Sequence, residues 1–224
     1  MTRRRDSPTP SIARQLAAMR RAVGGTALPS VSEIARRDRD PFRILISTLL
    51  SLRTKDDVTE AASARLFALA DSPAALARLD LRKIERAIYP AGFYRTKART
   101  VRDISRRLET EYGSRVPDTI DELLGFKGVG RKTAALVVSL GYNRPAICVD
   151  THVHRISNRL GWVKTRTPGE TERALMQAVA KRHWIGINET MVSFGQQVCV
   201  PLSPRCSLCP LEARCPRVGV TRRR

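Results

Sequence analysis

The sequence has few aromatic residues, few acidic residues and no long apolar run. Phe, Tyr and Trp make up 5% of its 224 residues. Alternating runs of β-branched residues, which favour strands, are rare. No apolar run approaches the roughly 20 residues of a membrane-spanning helix, and no apolar block follows the basic residues of 1-MTRRRDSPTPSIARQ-15. These absences argue against a β-protein, a membrane-spanning protein and a secretory signal.

Acidic residues are outnumbered by basic ones, 21 against 41, so the formal net charge is +20. Such an excess indicates a polyanionic partner rather than a fold. Nucleic acid is the favoured partner, because the sequence offers no segment for a membrane. An arginine-rich, merely solvated surface is the alternative that charge alone leaves open.

Ala, Leu and Arg dominate the composition and favour helices. Apolar spacing, caps and glycine stops predict helices over residues 11–23, 42–52, 55–70, 72–79, 81–90, 95–113, 118–126, 130–141, 150–160, 169–182 and 187–199. No segment is assigned as a strand, although the patterns leave short parallel strands open. The segment 42-FRILISTLLSL-52 is apolar on nearly all sides and is expected to be the most buried helix. The fold class predicted from these patterns is all-α.

A glycine-rich turn, 125-GFKGVGRKTA-134, lies between two of the predicted helices. Gly128 and Gly130 can adopt positive φ and expose backbone N–H groups. The first turn of the following helix adds unpaired donors and the positive end of its dipole, and Arg131 adds charge. The stretch is therefore a candidate phosphate site, although a tight corner between helices also needs glycine.

Lys132 lies in the first turn of the second helix of this pair. The dipole there disfavours the ammonium form, and a neutral amine is a nucleophile; a lysine that merely contacts phosphate is the alternative. Asp150 opens the helix that follows, in 146-AICVDTHVHR-155. Taken by itself, Asp150 is best interpreted as an N-cap.

Four of the five cysteines lie in the last 26 residues, with the spacing Cys199-x6-Cys206-x2-Cys209-x5-Cys215. Without an export signal, a bound metal or cluster is a better interpretation than disulfides. Four thiolates suit either zinc or a 4Fe–4S cluster, and the spacing alone does not decide between them. Cys148 stands apart and is assigned to packing.

Three separate features resemble the endonuclease III branch of the base-excision DNA glycosylases. The run 125–134, followed by 149-VDTHVHRISNRL-160, is similar to the helix–hairpin–helix and downstream aspartate of that family. The segments 49-LLSLRTKD-56 and 92-GFYRTKA-98 resemble it as well. The four cysteines narrow the resemblance to the endonuclease III branch, and the similarity spans roughly residues 30–217.

The resemblance implies a two-domain, all-α helix–hairpin–helix DNA glycosylase fold. A six-helix barrel domain would cover residues 34–144, with the helix–hairpin–helix near 119–143. Residues 11–33 and 145–217 would form an iron–sulfur cluster domain. Residues 1–10 and 218–224 are expected to be basic tails, frayed at the chain ends.

The resemblance also implies an activity, a cofactor and a location. The protein would be a bifunctional DNA glycosylase and AP lyase that removes oxidised pyrimidines and cuts the strand by β-elimination. Its cofactor would be a 4Fe–4S cluster on Cys199, Cys206, Cys209 and Cys215. We expect a monomer in the cytoplasm, associated with the nucleoid, that acts on duplex DNA with damaged bases or abasic sites and not on membranes.

The roles of single residues follow from the same resemblance. Lys132 would attack C1′ of a flipped nucleotide, and Asp150 would help to deprotonate the lysine and stabilise the sugar cation. Gly128, Gly130 and Arg131 would contact the DNA strand. Arg205 is the best candidate for a phosphate contact in the cluster loop, where 200-VPLSPR-205 has a single basic residue and the family often has more.

Two further positions depart from the family pattern. Arg53 stands where the family usually has a glutamine that enters the space left by the flipped base. Phe93 stands where leucine is frequent, and we interpret it as an apolar wedge, with a core aromatic as the alternative. A guanidinium only donates hydrogen bonds and pairs best with guanine, so Arg53 predicts a bias toward lesions opposite guanine.

Two other functions are compatible with parts of the sequence. A monofunctional glycosylase of the same superfamily would normally lack Lys132. A non-catalytic DNA-binding module with a redox-sensing cluster would keep the glycines and cysteines but would need neither Lys132 nor Asp150.

Overall fold

The protein divides into two compact units in the computed structural model, which describes residues 11–25 and 28–224. One unit combines the described residues up to Gly25 with Val149–Arg224, and the other is Leu28–Cys148. The described residues form twelve α-helices, short π and 3-10 turns, and no strand. The predicted all-α class is confirmed. The predicted tail 1–10 lies outside the described residues.

The unit Leu28–Cys148 contains eight helices. They are α2 (Ser30–Arg37), α3 (Pro41–Ser51), α4 (Asp56–Leu69), α5 (Pro73–Arg78), α6 (Leu81–Ile88), α7 (Tyr94–Glu111), α8 (Ile120–Leu124) and α9 (Arg131–Leu136), which continues as a π-helical turn, Val137–Gly141. Helix α3 is central, because α2, α4, α7 and α9 all pack against it. Every residue from Ile44 to Leu50 is buried, which confirms the prediction for this apolar segment.

Helix α2 was missed by the sequence patterns, and it shifts the boundary between the units. The prediction assigned residues 28–33 to the other unit. In the structure Val31 is buried in the core around α3, and the Ser30 hydroxyl donates to Asp56 Oδ1 of α4 at 2.8 Å. Cys148 also belongs to this core, at 2% exposure, so the second boundary follows it rather than residue 144.

The other unit is built from α1 (Ile12–Ala22), α10 (Thr151–Arg159), α11 (Pro168–Ala178) and α12 (Trp184–Gln197). Helix α12 packs against both α1 and α10. Leu16, Met19 and Met191 are completely buried in this unit. The indole N–H of Trp162 donates to Gln15 Oε1 and fastens the segment after α10 to α1.

The C-terminal segment differs from the predicted frayed tail. The Arg224 backbone N–H donates to the Pro204 carbonyl at 2.9 Å, and the Ser207 N–H donates to the Arg224 carbonyl at 2.9 Å. The guanidinium of Arg223 lies 3.2 Å from Glu212 Oε1. These contacts pair the tail with residues 203–212. The basic charge of 222–224 therefore lies beside the loop that contains Arg205.

Within residues 11–25 and 28–224, every helix is too short or too polar to cross a bilayer.

Candidate active site

The predicted helix–hairpin–helix consists of α8, a turn at 125–130, and α9. Thr119 caps α8 by accepting from the Glu122 N–H, and the Val129 N–H donates to the Phe126 carbonyl at 3.0 Å across the turn. The side chain of Phe126 is buried, so it anchors the turn to the core. The buried Phe126 side chain therefore holds the turn against the core, while Gly128 and Gly130 are exposed.

Gly128 and Gly130 are both exposed but are glycines for different reasons. Gly128 has φ of 90°, and a Cβ there would lie 2.8 Å from Thr100 Cγ2. The fold therefore requires glycine at 128. Gly130 is the extended N-cap of α9, and a Cβ there would meet nothing within 4 Å. Nothing inside the described structure requires glycine at 130, which fits a place where another molecule approaches the backbone.

Lys132 is the second residue of α9 and is half-buried, so its side chain is not enclosed in the core. The Cys148 thiol donates a hydrogen bond to the Lys132 carbonyl oxygen, with Sγ 3.7 Å away. The preceding residue, Arg131, is exposed. The helix start thus presents one amine and one guanidinium beside two exposed glycines.

Asp150 is the N-cap of α10. Its Oδ1 accepts from the backbone N–H groups of His152 and Val153, both at 2.9 Å. Both bonds use Oδ1, so capping occupies one of the two carboxylate oxygens. The side chain is half-buried. The capping role expected from sequence is present, and it holds the carboxylate in a fixed orientation.

Helix α10 also grips the start of the cysteine segment. The Arg155 guanidinium donates to the Cys199 carbonyl at 2.9 Å and to the Gly195 carbonyl at 3.2 Å. One turn later, Arg159 donates to Cys199 Sγ at 3.4 Å and to the Val200 carbonyl at 2.8 Å. Helix α10, which Asp150 caps, is therefore hydrogen-bonded directly to the first cysteine of the segment.

The four C-terminal cysteines line one cavity together with apolar side chains such as Ile156 and Phe194. Burial raises the pKa of the Cys209 thiol to about 11, and the thiols of Cys215, Cys199 and Cys206 add to the shift because they are close to it. Burial likewise raises the pKa of Cys215. A positively charged group is needed to hold such thiols as thiolates.

A cluster suits this arrangement. A 4Fe–4S cluster is held by four cysteine thiolates, and the four cysteines line this cavity together. Arg205, between the first two cysteines, is exposed.

Arg53 and Phe93 lie side by side, although they are 40 residues apart in sequence. The Arg53 Cζ lies 5.7 Å from the centroid of the Phe93 ring. The Phe93 side chain is 64% exposed, so it is not part of the core. Both residues have positive φ, 52° and 58°, a conformation that is uncommon for residues other than glycine.

Comparison with known proteins identifies the family. Residues 46–181 match the HhH-GPD superfamily of base excision DNA repair proteins. The chain is 51% identical over 179 residues to endonuclease III of Thermotoga maritima, across 80% of this chain and 84% of that protein. The chain belongs to the endonuclease III family.

Other members agree with this assignment. The chloroplastic endonuclease III homolog 2 of Arabidopsis thaliana is 45% identical over 184 residues, which cover 78% of this chain and 48% of the plant protein. A solved structure of an endonuclease III trapped as a covalent intermediate with DNA, in an estranged-adenine complex, aligns with a TM-score of 0.81 at 35% identity. That alignment covers 91% of this chain and 93% of the solved one. As a member of the endonuclease III family, the protein is a bifunctional base-excision repair glycosylase and AP lyase.

Several residues around these sites were not found by sequence reasoning. Arg155 and Arg159 were overlooked, although their spacing of four places them on one face of α10. Lys97 was also overlooked, and it is buried beside the Arg53 turn. Each of them acts on a partner more than 39 residues away, so no local pattern announces the contact.

Proposed function

We propose that this member of the endonuclease III family removes oxidised pyrimidines from duplex DNA and cuts the strand on the 3′ side, with Lys132 as the nucleophile. The observation that carries the proposal is the position of Lys132, half-exposed at the start of α9 directly after the two exposed glycines. Family membership supports the reaction class, and the position supports the residue.

The reaction begins with an amine and a flipped nucleotide. The neutral Lys132 Nζ attacks C1′, the bond between C1′ and the base breaks, and the base leaves with the electron pair and takes up a proton. The amine loses a proton, the sugar ring opens, and a Schiff base forms between Nζ and C1′. Removal of a C2′ proton then expels the 3′ phosphate by β-elimination, and water releases the enzyme.

Asp150 is the carboxylate that we assign to this chemistry. It accepts the proton that the lysine gives up and stabilises positive charge developing on the sugar. The two hydrogen bonds from α10 hold its orientation before DNA arrives. A preset carboxylate of this kind does not have to be ordered during the reaction.

The DNA contacts that we propose fall into two groups. The hairpin, through Gly128, Gly130 and Arg131, binds the phosphates beside the flipped nucleotide. Flipping is required because C1′ cannot be reached inside a stacked duplex. Arg53 and Phe93 enter the space that the flipped base leaves. The net charge of +20 supplies the long-range attraction.

We further propose a 4Fe–4S cluster on Cys199, Cys206, Cys209 and Cys215. When bound, the cluster holds the loop 199–215 in place, a structural contribution. Arg159 donates toward Cys199 Sγ, and Arg205 is carried by the loop toward phosphate. Iron and sulfide content of the purified protein, with loss of both in Cys206→Ser, tests this part. The protein would act as a monomer in the cytoplasm, on nucleoid DNA.

Borohydride trapping tests the proposed function. Reduction of the Schiff base on abasic duplex DNA should give a covalent adduct that is absent in Lys132→Ala. Lys127→Ala is the matched control, because Lys127 is an exposed lysine of the same hairpin and should leave the adduct. Base release without an adduct would indicate a monofunctional glycosylase. Binding without base release or adduct would indicate a non-catalytic module.

A further inference from the structure

Lys97 is a buried lysine that the proposed chemistry does not use. It lies on α7, one turn after Phe93, and is 8% exposed. Its ammonium donates to the carbonyls of Leu50 and Leu52, both at 2.6 Å, and to Thr54 Oγ1 at 2.8 Å. An ammonium has three donors, so all of them are used on one short segment at the end of α3.

Burying an ammonium group costs free energy unless the interactions it makes compensate for the lost hydration. Burial lowers the pKa of Lys97 to about 8, from an ordinary value of 10.5. Carbonyls at the end of α3 need partners, but a helix end near the surface can obtain them from water. The particular effect of a lysine here is to fasten the segment that carries Arg53 to the helix that Phe93 caps.

Thr54 extends the connection to the Phe93 turn. Its hydroxyl accepts from Lys97 Nζ and from the Gly92 N–H at 3.1 Å, and it donates to the Leu52 carbonyl at 3.3 Å. A hydroxyl has one donor and two acceptor sites, so its capacity is filled. Lys97, Thr54 and the Gly92 N–H therefore form one hydrogen-bond network that connects the Arg53 turn to the Phe93 turn.

The two turns also touch through their backbones. A Cβ on Gly92 would lie 2.5 Å from the Arg53 carbonyl oxygen. No side chain fits there, so Gly92 permits the approach, while Lys97 and Thr54 hold it. The stack of Arg53 on Phe93 is the outer end of this network.

We propose that Lys97 is a positioning residue that sets the spacing between Arg53 and Phe93, so that both side chains enter damaged duplex DNA as one unit. The proposal rests on the proposed function, because it assumes that both side chains contact the duplex. Lys97 itself touches neither DNA nor the reacting atoms.

Comparison of duplex and single-stranded substrates separates this role from a general one. Lys97→Met keeps the length of the side chain and removes the donors. Cutting of single-stranded abasic DNA involves Lys132 but no opposite strand, so its rate should stay within about twofold. Excision from a duplex should slow by about ten- to hundredfold, the typical cost of misplaced contacts. Lys83→Met, at an exposed lysine of α6, should change neither rate.

A variant cycle tests whether Lys97 acts through the pair. In an Arg53→Ala, Phe93→Ala background, adding Lys97→Met should cause no further loss of duplex excision, because the residues that it positions are gone. Rates are expressed per trapping-competent enzyme, so that a smaller folded fraction does not count as slower chemistry.

Thr54 supplies a second route if Lys97→Met gives too little folded protein. Thr54→Val removes the hydroxyl and should lower duplex excision selectively, whereas Thr54→Ser keeps the hydroxyl and should not. Equal losses on duplex and single-stranded DNA, or an undiminished effect of Lys97→Met in the doubly substituted background, would overturn the proposal. Absence of any adduct in the unsubstituted protein would instead overturn the proposed function.

Discussion

The guanidinium of Arg53 stacks on the ring of Phe93, 5.7 Å from its centroid. Both side chains are exposed, and both residues adopt positive φ. A cation–π contact at an exposed site contributes about 0.5–1 kcal/mol. That is little enough for DNA to replace it with stacking on Phe93 and hydrogen bonds to Arg53. The contact therefore holds the two side chains next to each other in the free protein and is weak enough for DNA to displace it.

Arg53 should set the preference for the opposite base. One lesion paired with each of the four bases should be excised fastest opposite guanine, whose acceptors match a guanidinium. Arg53→Gln should reduce that preference by about 5- to 150-fold, equivalent to about 1–3 kcal/mol. Arg95→Gln, at an exposed arginine of α7, is the control. Equal rates opposite all four bases in the unsubstituted protein would refute the assignment.

Asp150→Asn should separate capping from catalysis. Asparagine caps a helix about as well as aspartate, so the melting temperature should stay nearly constant. The rate of base excision should fall by about a hundredfold or more, because a general base contributes about 10²–10⁴-fold. Asp80→Asn, at the N-cap of α6, controls for capping alone. A variant as active as the original would remove Asp150 from the mechanism.

The two hairpin glycines should respond in opposite ways to alanine. Gly128→Ala places a Cβ at φ of 90° and 2.8 Å from Thr100 Cγ2, so it should destabilise the fold by about 1–3 kcal/mol. Thr100→Ser removes that methyl group and should recover part of the loss. Gly130→Ala meets no neighbouring atom and should cost at most about 1 kcal/mol, the loss of a better N-cap residue, but it should weaken DNA binding, measured by fluorescence anisotropy. Unimpaired binding would show that DNA does not approach the backbone at 130.

Lys97 should make stability rise with pH in alkaline solution. Its folded-state pKa of about 8 lies below the value of 10.5 expected when unfolded, so between these values the unfolded chain binds more protons. The free energy of unfolding then increases with pH, by at most about 1.4 kcal/mol per unit. Below about pH 8 both states are protonated, and this contribution no longer varies.

The measurement is the difference in melting temperature between the unsubstituted protein and Lys97→Met at pH 7 and at pH 9.5. The difference should shift in favour of the unsubstituted protein at the higher pH, while Lys83→Met shows no such trend. A constant difference would mean that the buried ammonium does not titrate in this range.

The sequence determined the features that depend on neighbours along the chain. Periodicity and caps located α3, α7 and α10 to within a few residues. Asp150 could be recognised as an N-cap because its hydrogen bonds reach only two and three residues ahead. The glycines of the hairpin and the spacing of the four cysteines could also be recognised, because each motif lies within a short stretch of sequence.

Tertiary structure decided the rest. Helix α2 is short, and it is its packing on α3 that assigns it to the unit Leu28–Cys148. The C-terminal arginines lie along residues 203–212 instead of fraying. Lys97 reads in sequence as one more surface lysine of a basic helix, and only folding brings it to the carbonyl of Leu50, 47 residues earlier. Such contacts depend on how distant helices pack, and no pattern within a single helix specifies that packing.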